Sequence, residues 1–99
     1  MVGMNRVEIS YDPAKRTWTL DHRALDFDHA VRVFAGPVAD VLDDRQDYGE
    51  IRTVTYGLLN NRLVAVVWTA RGKGRHIISM RKCNAREREK FEPRLARTR

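Results

Sequence analysis

Leu63-Val64-Ala65-Val66-Val67-Trp68-Thr69 is the stretch that decides the fold. Six apolar residues in a row leave a strand with no polar face. Such a strand is covered on both sides, so it lies in the interior of a sheet. Upstream stands Asn60-Asn61, a turn signal because Asn tolerates positive φ. Downstream stands Arg71-Gly72-Lys73-Gly74, a second turn. Outside the turns lie Glu50 to Leu59, rich in β-branched and aromatic residues, and Arg75 to Lys82. The reading is a three-stranded antiparallel meander from Glu50 to Lys82 with the apolar run at its centre.

The N-terminal half supplies the covering layer. Val7 to Tyr11 alternates as a short strand. Asp12-Pro13 is a helix start, since the Asp carboxylate caps an orphan amide and Pro has no amide to leave unpaired. That helix is expected to run to Leu20 or His22, with Ala14, Trp18 and Leu20 inward. Asp26 caps a second helix, whose stripe is Phe27, Ala30, Val31 and Phe34 and whose stop is Gly36-Pro37. Val38 to Leu42 reads as another strand, and Asp43 to Asp47 as a polar loop. Asn84 and Glu87 have the spacing of a capping box for a C-terminal helix, held by Phe91 and Leu95. Pro93 predicts a break near Glu92, with residues 94–99 frayed. The expected fold is therefore α+β: a short strand and two helices packed on an antiparallel meander, then a C-terminal helix.

Ninety-nine residues suit one domain, here residues 1–99 with its core at about 7–92. The net charge of +6 is unevenly placed. Residues 12–50 carry nine acidic and five basic side chains, whereas residues 51–99 carry thirteen Lys/Arg and three Glu. That asymmetry points to a polyanion or an acidic partner. Cys83 is the single cysteine, which excludes an internal disulfide and suits a reducing compartment. With no apolar run of signal-peptide or membrane-spanning length, the expectation is a cytoplasmic protein.

The meander and its turns carry Arg52, Arg62, Arg71, Lys73, Arg75, Arg81 and Lys82. Strand alternation puts Arg52, Val54, Tyr56 and Leu58 on one face, and separates Arg75, Ile77, Ser79 and Arg81 from His76, Ile78 and Met80. Cations for phosphate and an aromatic ring for a base are the composition of an RNA-binding face. Lys15, Tyr56, Lys73, Arg75 and Lys82 are its candidates. A solvated charged surface has the same composition. RNA cleavage without a metal needs a base for the 2′-OH, an acid for the leaving oxygen and cations for the phosphorane. Glu50 and His76 are the candidate base and acid; Arg52, Arg71 and Arg81 are the candidate stabilisers. Arg71-Gly72-Lys73-Gly74 lacks the spacing of a nucleotide-phosphate loop. Asp40, Asp43, Asp44 and Asp47 lack the ordered pattern of a calcium loop. No cofactor is indicated.

Tyr11-Asp12-Pro13-Ala14-Lys15 resembles the W-D-x-x-K opening of the BrnT toxin family, and Phe27-Asp28-His29-Ala30 through Phe34-Ala35-Gly36-Pro37 resembles its F-E-E-A-x-x-V-F-x-D-P. Glu50-Ile51-Arg52, Gly57 and Val66-Val67-Trp68-Thr69-Ala70-Arg71-Gly72 resemble its E-x-R, G and V-V-x-T-x-R-G. Arg75-His76-Ile77-Ile78-Ser79-Met80-Arg81-Lys82-Cys83 resembles R-I-I-S-A-R-K-A, and Glu87-Arg88 its E-R. The resemblance implies a RelE-like fold and a ribonuclease toxin that halts translation. It also implies a neighbouring BrnA-like antitoxin with a ribbon-helix-helix DNA-binding segment, through which operator DNA is reached indirectly. The chain departs from the family at His22-Arg23-Ala24 (K-H-G), Thr19 (Asn) and His76 (Arg). A non-catalytic antitoxin-binding and corepressor module, or a general RNA-binding domain, stands as the alternative.

Overall fold

The computed structural model describes residues 7–97. Its elements are β1 (Ile9–Tyr11), α1 (Pro13–Arg23), a 3₁₀ turn (Phe27–His29), α2 (Ala30–Ala35), β2 (Val38–Leu42), β3 (Thr53–Leu59), β4 (Arg62–Arg71), β5 (Gly74–Lys82) and α3 (Ala85–Arg97). The strands form one five-stranded sheet in the order β1-β5-β4-β3-β2. The apolar run lies on the middle strand, β4, with Leu63 to Val67 all buried. Val64 and Val66 meet Phe27, Ala30 and Val33 on one face, whereas Leu63 and Ala65 meet Phe91 and Leu95 on the other. One strand thus serves two cores, which is why it has no polar face.

The expected meander is present but is only part of the sheet. Its first strand begins at Thr53, not Glu50. Leu59 pairs with Arg62 across a two-residue loop in which Asn60 (φ 52°) and Asn61 (φ 64°) are both left-handed. That is the twist a tight hairpin requires. β1 pairs with β5 in parallel, Ile9 to Arg75 and Tyr11 to Ile77, so the sheet is mixed rather than antiparallel.

Four local expectations are corrected. In α1, Ala14, Trp18 and Leu20 face solvent and Thr19 is the buried residue. The helix lies beside β5 where β1 has ended, and it is tied by polar groups: Arg23 Nη1 donates to Met80 O (3.0 Å) and Arg16 to Asp26. In the second helical segment, Val31 is exposed and Val33 is buried, because the 3₁₀ start sets a spacing of three through Phe27, Ala30 and Val33. In α3, the helix continues through Pro93, and Leu95 beyond it is 2% exposed. Apolar anchors on both sides of the proline outweigh its lost hydrogen bond. The capping box forms as read: Glu87 N donates to Asn84 Oδ1 (2.9 Å) and Asn84 N to Glu87 Oε1 (3.0 Å).

Gly57 allows α2 to lie close to the sheet. A Cβ there would meet Val33 Cγ1 at 2.6 Å. The remaining correction concerns β5 and shapes the site. Val67 pairs with Ser79, but Trp68 pairs with Ile77, so Ile78 has no opposite residue. This bulge reverses the alternation halfway along the strand.

Candidate active site

Residues directly opposite in a sheet share a face. Thr69 pairs with His76, and His76 with Ser10. Thr53 pairs with Trp68, so Arg52 lies one step on, beside Thr69. The row Arg52, Thr69, His76, Ser10 therefore crosses the sheet on one face. The next row is Val54, Val67, Ser79, and the next Tyr56, Ala65, Arg81. Without the bulge, His76 would share a face with Met80 and point away from Ser79 and Arg81. The extra residue brings all three to one side.

α3 covers only part of this face. Phe91 stacks on Tyr56 with ring centroids 4.0 Å apart, and Glu87 holds Arg81 through two bonds of 2.7 and 2.8 Å. The Arg81 guanidinium, with the backbone amide of Asn84, pulls the Glu87 carboxyl down to about 2. Arg81 is thus already paired, and one face of Tyr56 is already taken. Beyond α3 lies a hollow of about 420 Å³, walled by Arg23, Leu42 and Arg45 and floored by Val54, Val67 and Ser79.

At its far end the face carries the chemistry. Arg52 Nε donates to Glu50 Oε2 (3.1 Å), and its guanidinium lies 3.9 Å from the Tyr48 ring centroid. Thr69 Oγ1 donates to Ile51 O (2.7 Å), tying the Glu50–Arg52 segment to β4. The His76 Nδ1 is 2.9 Å from Ser10 Oγ. Burial, then the charges of Arg71 and Lys15, push the His76 imidazole below its usual range, against the opposite pull of Glu50. Most of the imidazole is therefore neutral at pH 7, and the ring responds to Glu50, Arg71 and Lys15 together.

Of the residues singled out in the sequence, Glu50, Arg52, Arg71, His76 and Lys15 act on one another. Tyr56 and Arg81 lie two rows away under α3. Lys73 is in the β4–β5 turn. Arg75 lies on the opposite face, its guanidinium 4.4 Å from the Phe34 ring centroid and 4.3 Å from that of Trp68. Lys82 pairs with Val64 and shares that opposite face. Ser10, Tyr48 and Thr69 were missed. Ser10 had a signal in its place in the Val7–Tyr11 strand, though its use depends on the parallel pairing, and Thr69 had one in its spacing of two from Arg71 on the same strand. Two of the four acidic residues are engaged within the fold: Asp43 takes two bonds from Arg45, and Asp40 accepts from Thr55 (2.6 Å).

Among the described residues, no helix is long and apolar enough to cross a membrane. No curated protein matches the chain. A family model described as "Ribonuclease toxin, BrnT, of type II toxin-antitoxin system" matches residues 11–87, most of the chain, with β1 and α3 only partly inside the match.

Proposed function

The chain belongs to the BrnT family of ribonuclease toxins of type II toxin–antitoxin systems, and on that premise we propose that the open end of the sheet cleaves RNA without a metal ion. The observation that supports this reading is that the Ile78 bulge turns His76 onto the face of Arg52 and Thr69, where Arg71 and the Arg52-bonded Glu50 both act on its charge. A type II toxin has an antitoxin partner. We take that partner to be a BrnA-like ribbon-helix-helix protein, the toxin to be one RelE-like domain, and the result of cleavage to be arrest of translation.

The chemistry follows from the charges. The neutral His76 imidazole takes the proton of a ribose 2′-OH, and the freed oxygen attacks the adjacent phosphorus. Arg71 and Arg52 steady the phosphorane. The bond from phosphorus to the 5′ oxygen breaks, and the imidazolium returns its proton to that oxygen. A 2′,3′-cyclic phosphate and a 5′-hydroxyl result, with every proton accounted for. Glu50 raises the proton affinity of His76 and steadies the imidazolium between the two transfers. His76 thus takes the base role that the sequence offered to Glu50, and Ser10 orients the ring.

The test is incubation of purified protein with RNA in EDTA. Cutting to cyclic-phosphate ends is expected. Intact RNA, with circular dichroism showing folded protein, would overturn the reading. Arg71→Ala is expected to lower kcat/KM by roughly 10²–10³-fold. Expression without the antitoxin is expected to arrest growth.

A further inference from the structure

Trp18 is 47% exposed, the largest apolar side chain that α1 leaves to solvent. It is nevertheless held in place. The His22 ring stacks on the indole, with centroids 4.4 Å apart and planes within 13°. The Arg23 guanidinium carbon lies 5.1 Å from the indole centroid, and that guanidinium is anchored to Met80 O. The indole borders a depression of about 300 Å³, whose other walls are Lys15, Thr19, Arg23, Ile78 and Ser79. Ser79 shares the sheet face of His76, and Lys15 is one of the charges that His76 feels.

We propose that Trp18, backed by His22 and flanked by Lys15 and Arg23, is a stacking subsite for one unpaired base of the RNA that His76 cuts. The proposal rests on the ribonuclease reading and adds a substrate class, single-stranded RNA. The exposed part of the ordered indole offers a surface on which any base can stack, and Lys15 and Arg23, which line the same depression, meet the phosphates of its neighbours. Lys15 and Arg23 are eight residues apart, about 12 Å along the helix, so they serve different phosphates. A base within a duplex cannot present its ring to an indole. Trp18 touches none of the reacting atoms, so it acts on KM and leaves kcat nearly unchanged.

The experiment uses the full chain and a 2′-O-methyl oligoribonucleotide, which binds but has no 2′-OH to react. Fluorescence anisotropy gives Kd for the wild type, Trp18→Ala and Trp18→Phe. Trp18→Ala is expected to weaken binding roughly 5- to 150-fold, the range of one base–aromatic stack, and Trp18→Phe much less. A scan of abasic positions then locates the contact. One abasic site should weaken wild-type binding yet leave Trp18→Ala unaffected. Unchanged Kd in Trp18→Ala, or equal sensitivity of both proteins at every abasic position, would overturn the subsite while cleavage by the wild type still stood. Unchanged oligonucleotide binding with weakened antitoxin binding would overturn it too and assign the indole to the partner. A wild type that neither binds nor cuts RNA would remove the ribonuclease reading itself.

Discussion

Ala24 closes α1 in the left-handed region, φ 57° and ψ 34°, and its N–H donates to Leu20 O. This C-cap conformation favours glycine, because a Cβ there costs roughly 1–2 kcal/mol. The pattern that His22-Arg23-Ala24 resembles has glycine at this place, and alanine here carries the cost of the left-handed backbone. Ala24→Gly gives back part of that gain as greater freedom of the unfolded chain. The expected net gain is about 0.5–1 kcal/mol in urea unfolding, with RNA cutting unchanged. A loss of stability would mean that the cap is not strained. Replacement of the family's arginine by His76 is a different kind of departure, since it puts a titratable group among fixed charges. As the His76 pKa lies below its usual value, kcat/KM should rise with pH through that pKa, below 6.5, and then level off. A fall over the same interval would make His76 the acid. His76→Ala should lower kcat/KM by roughly 10²–10⁴-fold.

Elements differ in how far a local pattern exposes them. β4 was legible because burial on both faces demands an unbroken apolar run. The hairpin at Asn60-Asn61 and the capping box at Asn84 and Glu87 were legible because specific side chains satisfy specific backbone groups. The inward side of α1 was not, since it docks through Thr19, Arg16 and Arg23 rather than through an apolar stripe. The bulge at Ile78 was invisible because β5 alternates acceptably in either phase, and only its register with β4 decides which side His76 takes. The sequence alternation therefore put Arg75 and His76 each on the wrong face, and left Arg52, Tyr56 and Arg81 on the right one. α3 carries the prediction proper to this scale. The Glu87 carboxyl sits at about 2 against an ordinary 4.5. Its folded value is depressed, so its stabilising contribution is complete above about pH 4.5 and fades as pH falls towards 2. Glu87→Gln should remove that part of the acid sensitivity in a pH series of thermal melts. Phe91→Ala, which empties the stack on Tyr56, should cost about 3–5 kcal/mol at neutral pH.

Over the whole molecule, charge follows the sheet order. Asp40, Asp43, Asp44 and Asp47 lie on or just after edge strand β2, whereas Arg71, Lys73, Arg75, Arg81 and Lys82 belong to β4, β5 and the turn between them. α1 adds Lys15 and Arg23 beside β5. On the proposed function, a strand of RNA would meet repulsion near edge strand β2 and attraction towards β4 and β5, so orientation as well as affinity would be electrostatic. Each phosphate neutralised releases counterions, and for single strands log K falls with log salt by about 0.7 per phosphate. With Arg71, Lys15 and Arg23 each meeting a phosphate, the slope should be about −2. Arg71→Ala should make it shallower by about 0.7, whereas Trp18→Ala should weaken binding and leave it alone. Equal slopes for wild type and Arg71→Ala would show that Arg71 does not meet the RNA. On the proposed function, an acidic antitoxin segment laid over these cations would block RNA without touching His76. Added antitoxin should therefore raise the apparent KM linearly with its free concentration and leave kcat unchanged.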